Sequence, residues 1–202
     1  MDGNKILTDI LEKSEFKSKE QAIASLTYFA HPDTIRDLNN QNIFKIVRNP
    51  AKRGEITNDF MNDDNRCAQD IFCWTNKVKT RDFRDLQFNH IYSDPNNFYK
   101  YTCLSNIILT PAFLAKLTDT DQKILDLLKY RTFEIYNYNP DQIHFIKPDF
   151  YDKIIWRDFL PKQDNIADVF KKKLETSAKN RAISSVRHFG WVFNNFQPMD
   201  RQ

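Results

Sequence analysis

Only three of the 202 residues are glycine, and that scarcity removes several folds and chemistries at once. No G-x-G-x-x-G or G-x-x-x-x-G-K-[ST] run exists, so neither a dinucleotide-binding crevice nor a P-loop can be built. No G-x-S-x-G elbow is present for a serine nucleophile. Apolar bulk comes from aromatics instead: 17 Phe, 8 Tyr and 3 Trp. A chain of this length buries about 70% of its unfolded surface, so one core needs no staple of metal or disulfide. Cys67, Cys73 and Cys103 form no C-x-x-C pair, which fits buried free thiols and no structural zinc. No apolar run approaches the roughly 20 residues of a membrane span. Met1-Asp2-Gly3-Asn4-Lys5 begins no signal-like stretch, so no membrane partner and a cytoplasmic location are expected.

The periodicity predicts an α+β protein, mostly helical. Ile6, Leu7, Ile10 and Leu11 mark a first helix. Ser18 and Gln21 resemble a capping box opening a second, which should stop near His31-Pro32. Asp33 is a candidate cap for a further turn, and 42–47 reads as a short strand. Asp59, Asp63 and Asp64 lack the alternation of a calcium loop and read as a polar turn. Leu86 to Tyr92 alternates like a strand, with Leu86, Phe88, His90 and Tyr92 on one face and Asn89 on the other. Ile107 to Thr110 reads as a second strand, and Pro111 suits the start of a helix. Asp119 with Gln122 looks like the cap of a long helix ended by Pro140. Residues 138–163 read as an irregular aromatic connection, packed as core or offered as a protein interface. A last helix is expected from about Asp164. The boundaries this suggests are a helical addition at 1–66, a central unit at 67–137 and a basic C-terminal part at 138–202, joined in one compact body.

The net charge of +3 hides local asymmetry. Lys77, Lys79, Arg81 and Arg84 face one acid, Asp82; between 171 and 188, six cations face only Glu175. Such segments, with the Arg48 to Arg53 turn, could contact phosphate or could be solvated surface.

Four histidines are present, and His90 stands in the most informative setting: Asn89-His90-Ile91 on one strand, Asn106-Ile107-Ile108-Leu109 on a second, then a helix. This strand–loop–strand–helix order with N-H-I and N-I-I-L resembles the HNH family of ββα-metal nucleases over about residues 67–120. The resemblance implies a small ββα core carrying helical additions. It implies a metal-dependent endonuclease, of restriction or phage-defence type, hydrolysing phosphodiester bonds in double-stranded DNA. A homodimer would suit double-strand cleavage. His90 would be the general base, since a neutral imidazole can take a proton from water near working pH. Asn106 would be the catalytic-site asparagine that ties the loop between the strands. Asn89 would give an oxygen to Mg2+ (or Mn2+). The family's helix ligand is not matched: the corresponding positions are Leu114 and Ala115, followed by Lys116, leaving Asp119 as the nearest substitute. Lys52, Arg53, Lys77, Lys79, Arg81, Lys116, Lys172 and Arg181 are the candidate nucleic-acid contacts. The missing ligand keeps a second reading open, a catalytically degenerate HNH-like DNA-binding or regulatory protein.

Overall fold

The computed structural model describes residues 2–57, 59–94 and 96–192. It is a mostly helical α+β protein. Helix α1 (Gly3–Lys13) starts at Asp2, whose carboxylate accepts from the amides of Asn4 and Lys5. Helix α2 (Lys19–Leu26) starts at Ser18, whose Oγ accepts from the Gln21 amide at 3.0 Å, the expected cap. This helix stops earlier than His31, because Tyr28 pairs in extended form with Leu109. Helix α3 (Pro32–Asp37) is capped by His31 rather than Asp33: Nδ1 of His31 accepts from the Asp33 amide at 3.1 Å.

Strand β1 (Ile46–Arg48) and strand β2 (Met61–Asp63) form a short parallel pair, with Arg48 opposite Asp63. The strand expected at 42–47 therefore starts late. The amides of Ile43 and Phe44 both donate to Thr102 Oγ1, so a side chain replaces the ladder there. The supposed polar turn at 59–64 contains β2, whose three residues are all buried. Helix α4 (Arg66–Thr75) buries Cys67, Ala68, Ile71 and Phe72.

Strand β3 (Leu86–His90) is followed by helix α5 (Phe98–Tyr101) and strand β4 (Ile107–Pro111). The two strands are antiparallel, with Asn89 opposite Ile108 and His90 opposite Ile107. Strand β3 ends two residues before Tyr92, whose backbone is held by a side chain instead. Helices α6 (Ala112–Ala115) and α7 (Leu117–Thr120) are single turns, as Pro111 promised for the start of α6. Helix α8 (Gln122–Tyr136) is capped by Asp121 rather than Asp119, and it ends at Asn137 in the left-handed region, φ 54°, before Pro140 is reached.

The connection after α8 has one 3-10 turn, Tyr151–Lys153. It is stitched down by backbone bonds from Arg157 to Ala24 and from Leu160 to Phe29. Two helices follow where one was expected: α9 (Ile166–Thr176) and α10 (Arg181–Phe189). One buried apolar cluster runs from Leu11 to Val186. Residues 1–66 contribute a parallel strand pair as well as helices, and part of the common core. All three cysteines are buried free thiols. No helix among the described residues is long and apolar enough to cross a membrane.

Candidate active site

A cavity of about 560 Å3 opens between the β3–β4 hairpin, α5, α7 and α8. Four residues singled out from the sequence line it: Asn89, His90, Asn106 and Asp119. Residues up to 30 positions apart in the chain are brought together by the hairpin and the turn of helix that follows it.

His90 is the last residue of β3 and is half-buried. Its Nε2 lies 2.9 Å from the backbone oxygen of Tyr101. Its ring stacks on that of Tyr101 at 5.3 Å between centroids and 19° between planes. A carbonyl oxygen can only accept, so Nε2 carries the proton and Nδ1 of the neutral ring holds the lone pair. Nδ1 makes no hydrogen bond among the described residues. Burial lowers the pKa of the imidazole; the bond to Tyr101 opposes this, and the nearby Arg48 charge adds to the lowering. The ring is therefore neutral and basic at Nδ1 at neutral pH.

Asn106 is fully buried, and its amide is engaged with backbone groups. Its Oδ1 accepts from the Tyr92 amide at 2.7 Å, and its Nδ2 donates to the carbonyls of Tyr92 and Lys100, both at 3.1 Å. One amide thereby closes the loop between the strands at both ends. This keeps α5, and with it Tyr101, against His90.

Asn89 is buried, and its amide is partly spent. Nδ2 donates to Thr110 Oγ1 at 2.6 Å, and Oδ1 accepts from Gln87 Nε2 at 3.2 Å. One lone pair of Oδ1 remains. Asp119 is exposed on α7, and its carboxylate makes no hydrogen bond or ion pair among the described residues. Leu114 and Ala115 are core residues, and Lys116 is exposed and off the cavity wall. Among the described residues no group of three or more His, Cys, Asp or Glu side chains could hold a metal. The donors at hand are hard oxygens, one carboxylate and one amide. They do not fit zinc or a closed protein cage. They would suit a magnesium ion that keeps most of its water.

The cavity charges differ from the eight cations chosen from the sequence, none of which lines it. Arg53 pairs with Asp64 at 3.0 Å, Lys77 with Asp164 at 2.9 Å and Arg81 with Asp82 at 4.0 Å. Arg181 binds Asp63 at 3.0 Å and also Asp64. Lys52, Lys79, Lys116 and Lys172 are exposed and form no ion pair among the described residues. The cavity instead presents Arg48, which has no ion pair among the described residues, and Lys129, whose ammonium lies 5.3 Å from the Tyr92 ring centroid. Lys100 is neutralised by Asp94 and Asp141. Arg48 belongs to the basic turn visible in the sequence. Lys129 carried no signal, since it sits on a helix with ordinary amphipathic spacing.

No protein family, curated protein or solved structure matches the chain.

Proposed function

We propose that the protein is a metal-dependent endonuclease hydrolysing phosphodiester bonds of double-stranded DNA, with His90 as the general base. The observation that carries this reading is the state of one imidazole. Nε2 is tied to the Tyr101 carbonyl, while among the described residues Nδ1 has no hydrogen bond and Arg48, on the same cavity, has no ion pair. Phosphodiester hydrolysis needs a water relieved of its proton, and Nδ1 supplies the acceptor. Arg48 would hold a phosphate oxygen through a charge-assisted bond, and Lys129 adds positive potential for a polyanion. Asp119 and Asn89 would hold a magnesium or manganese ion, which when bound supplies charge neutralisation at the phosphate.

A second reading has its own observation. Leu114 and Ala115 lie in the core where a helix ligand would be needed, which favours a degenerate DNA-binding or regulatory protein. A supercoiled plasmid incubated with Mg2+ or Mn2+, with EDTA as control, separates the two. The endonuclease reading expects nicking that EDTA and His90→Ala both abolish, with DNA binding retained in the variant. Wild-type nicking by His90→Ala removes the base assignment. Salt-sensitive binding without metal-dependent cleavage establishes the second reading.

A further inference from the structure

Beyond the residues on the cavity wall lies a buried carboxylate that the chemistry above does not use. Asp63 closes β2 and is fully buried. Its Oδ1 accepts from Arg181 Nε at 3.0 Å. Its Oδ2 accepts from the Cys67 amide at 2.8 Å and from Tyr101 Oη at 3.0 Å. The start of the neighbouring α4 and two elements distant in sequence, α5 and α10, thus meet on one side chain.

Fold stability does not by itself call for this arrangement. Replacing a buried ion pair by apolar residues of similar volume is often neutral or stabilising. What the carboxylate does locally is hold the far end of Tyr101. That tyrosine makes both contacts that define the His90 ring: its carbonyl takes the Nε2 proton and its ring forms the stacking surface. Helix α5, on which it sits, has only four residues. A single helical turn has little rigidity of its own. Without an anchor at Oη, ring and carbonyl could shift together.

We infer that Asp63 is a positioning residue for His90, acting through Tyr101, with Arg181 as its counter-charge. The inference rests on the reading of His90 as the base only for its effect on rate; the geometry it describes is independent of that. It links helix α10, through Arg181 and Asp63, to the orientation of the His90 imidazole.

The test uses Tyr101→Phe, which keeps ring and carbonyl and removes only the hydroxyl, beside Asp63→Asn in the full chain. Two readouts are taken. The first is imidazole 15N chemical shifts of His90 in metal-free protein at one pH near 8. Wild type is expected to show the Nε2–H tautomer, and Tyr101→Phe a mixture of the two tautomers. The second is plasmid cleavage with magnesium, where kcat is expected to fall by roughly tenfold or more while KM stays within about twofold. A wild-type tautomer signature in a folded Tyr101→Phe overturns the inference, whatever the rates. An unchanged kcat in an active enzyme overturns it as well. Should the wild type not cleave DNA at all, the functional reading fails, and the tautomer measurement alone decides whether Asp63 and Tyr101 set the ring.

Discussion

Asn106 and Tyr92, 14 residues apart, are joined by two opposed hydrogen bonds, amide oxygen to backbone N–H and amide nitrogen to backbone carbonyl. Asn106→Ala would leave the Tyr92 amide and the Tyr92 carbonyl without their partner, while the Lys100 carbonyl keeps the Cys103 amide. Each unsatisfied buried group costs on the order of 1–3 kcal/mol, so a loss of about 3 kcal/mol in urea unfolding is expected. Asn106→Asp should lose a similar amount, because a carboxylate would face two carbonyls. Wild-type stability in both variants would contradict the loop-closing role.

The pH dependence follows from the His90 shift. Its pKa is pushed below the ordinary histidine value by burial and by Arg48. The neutral base therefore persists to lower pH, and the rising limb of kcat/KM should fall below about pH 6.5. Stability moves in the same direction. The unfolded chain takes up the proton first as pH falls, so this stability is complete above the unfolded pKa and is lost as pH drops through the folded one. His90→Gln should flatten that part of the stability profile. A rate limb above the ordinary histidine value would count against His90 as the base.

Arg48 has two expected effects with separable readouts. In Arg48→Ala, loss of a charged hydrogen bond to phosphate should raise KM roughly tenfold. Removal of the positive charge should also move the rising pH limb upward, toward the ordinary histidine value, because Arg48 disfavours imidazolium. Steady-state kinetics across pH on a short duplex measure both.

The basic C-terminal part should divide into two classes. Arg181 is spent on the buried Asp63, so Arg181→Ala would strand a buried charge and cost about 3–5 kcal/mol. Lys172 is exposed and has no ion pair among the described residues, and Lys172→Ala should leave the melting temperature in place. If Lys172 contacts DNA, the same change lowers the slope of log affinity against log salt by about 1. Thermal melts and salt-titrated binding distinguish the classes.

If the cavity takes a metal as proposed, Asp119 would be the decisive donor, since the Asn89 amide is half-engaged. Asp119→Ala should raise the magnesium concentration for half-maximal cleavage by roughly tenfold or more. An unchanged magnesium dependence removes Asp119 from the site.

Local signals in the sequence translated well where a single residue's chemistry decides the structure. Ser18 caps its helix, Pro111 stands before one, and the pair Asn89-His90 lies on a strand facing Ile107 and Ile108. The convergence of Asn89, His90, Asn106 and Asp119 on one cavity was legible because strand, loop and strand are adjacent in the chain. What escaped notice depends on partners far away in sequence. Nothing around Asp63 distinguishes a buried hub from an exposed turn until Arg181 and Tyr101 arrive from 118 and 38 residues away. Charge counts likewise do not reveal which cations are already paired. Arg53 and Lys172 look alike in the sequence and differ only by the presence of Asp64 beside the former.

The pairing of Tyr28 with Leu109, with N–H···O distances of 2.8 and 3.1 Å in the two directions, gives the hairpin a chaperone within its own chain. Strand β4 would otherwise present an open row of amides and carbonyls, a template for another molecule's strand. A shortened protein reduced to the hairpin and its helix would expose that row. Such a fragment should self-associate rather than survive as a minimal nuclease, and any engineered miniature would need to carry the Tyr28 segment along.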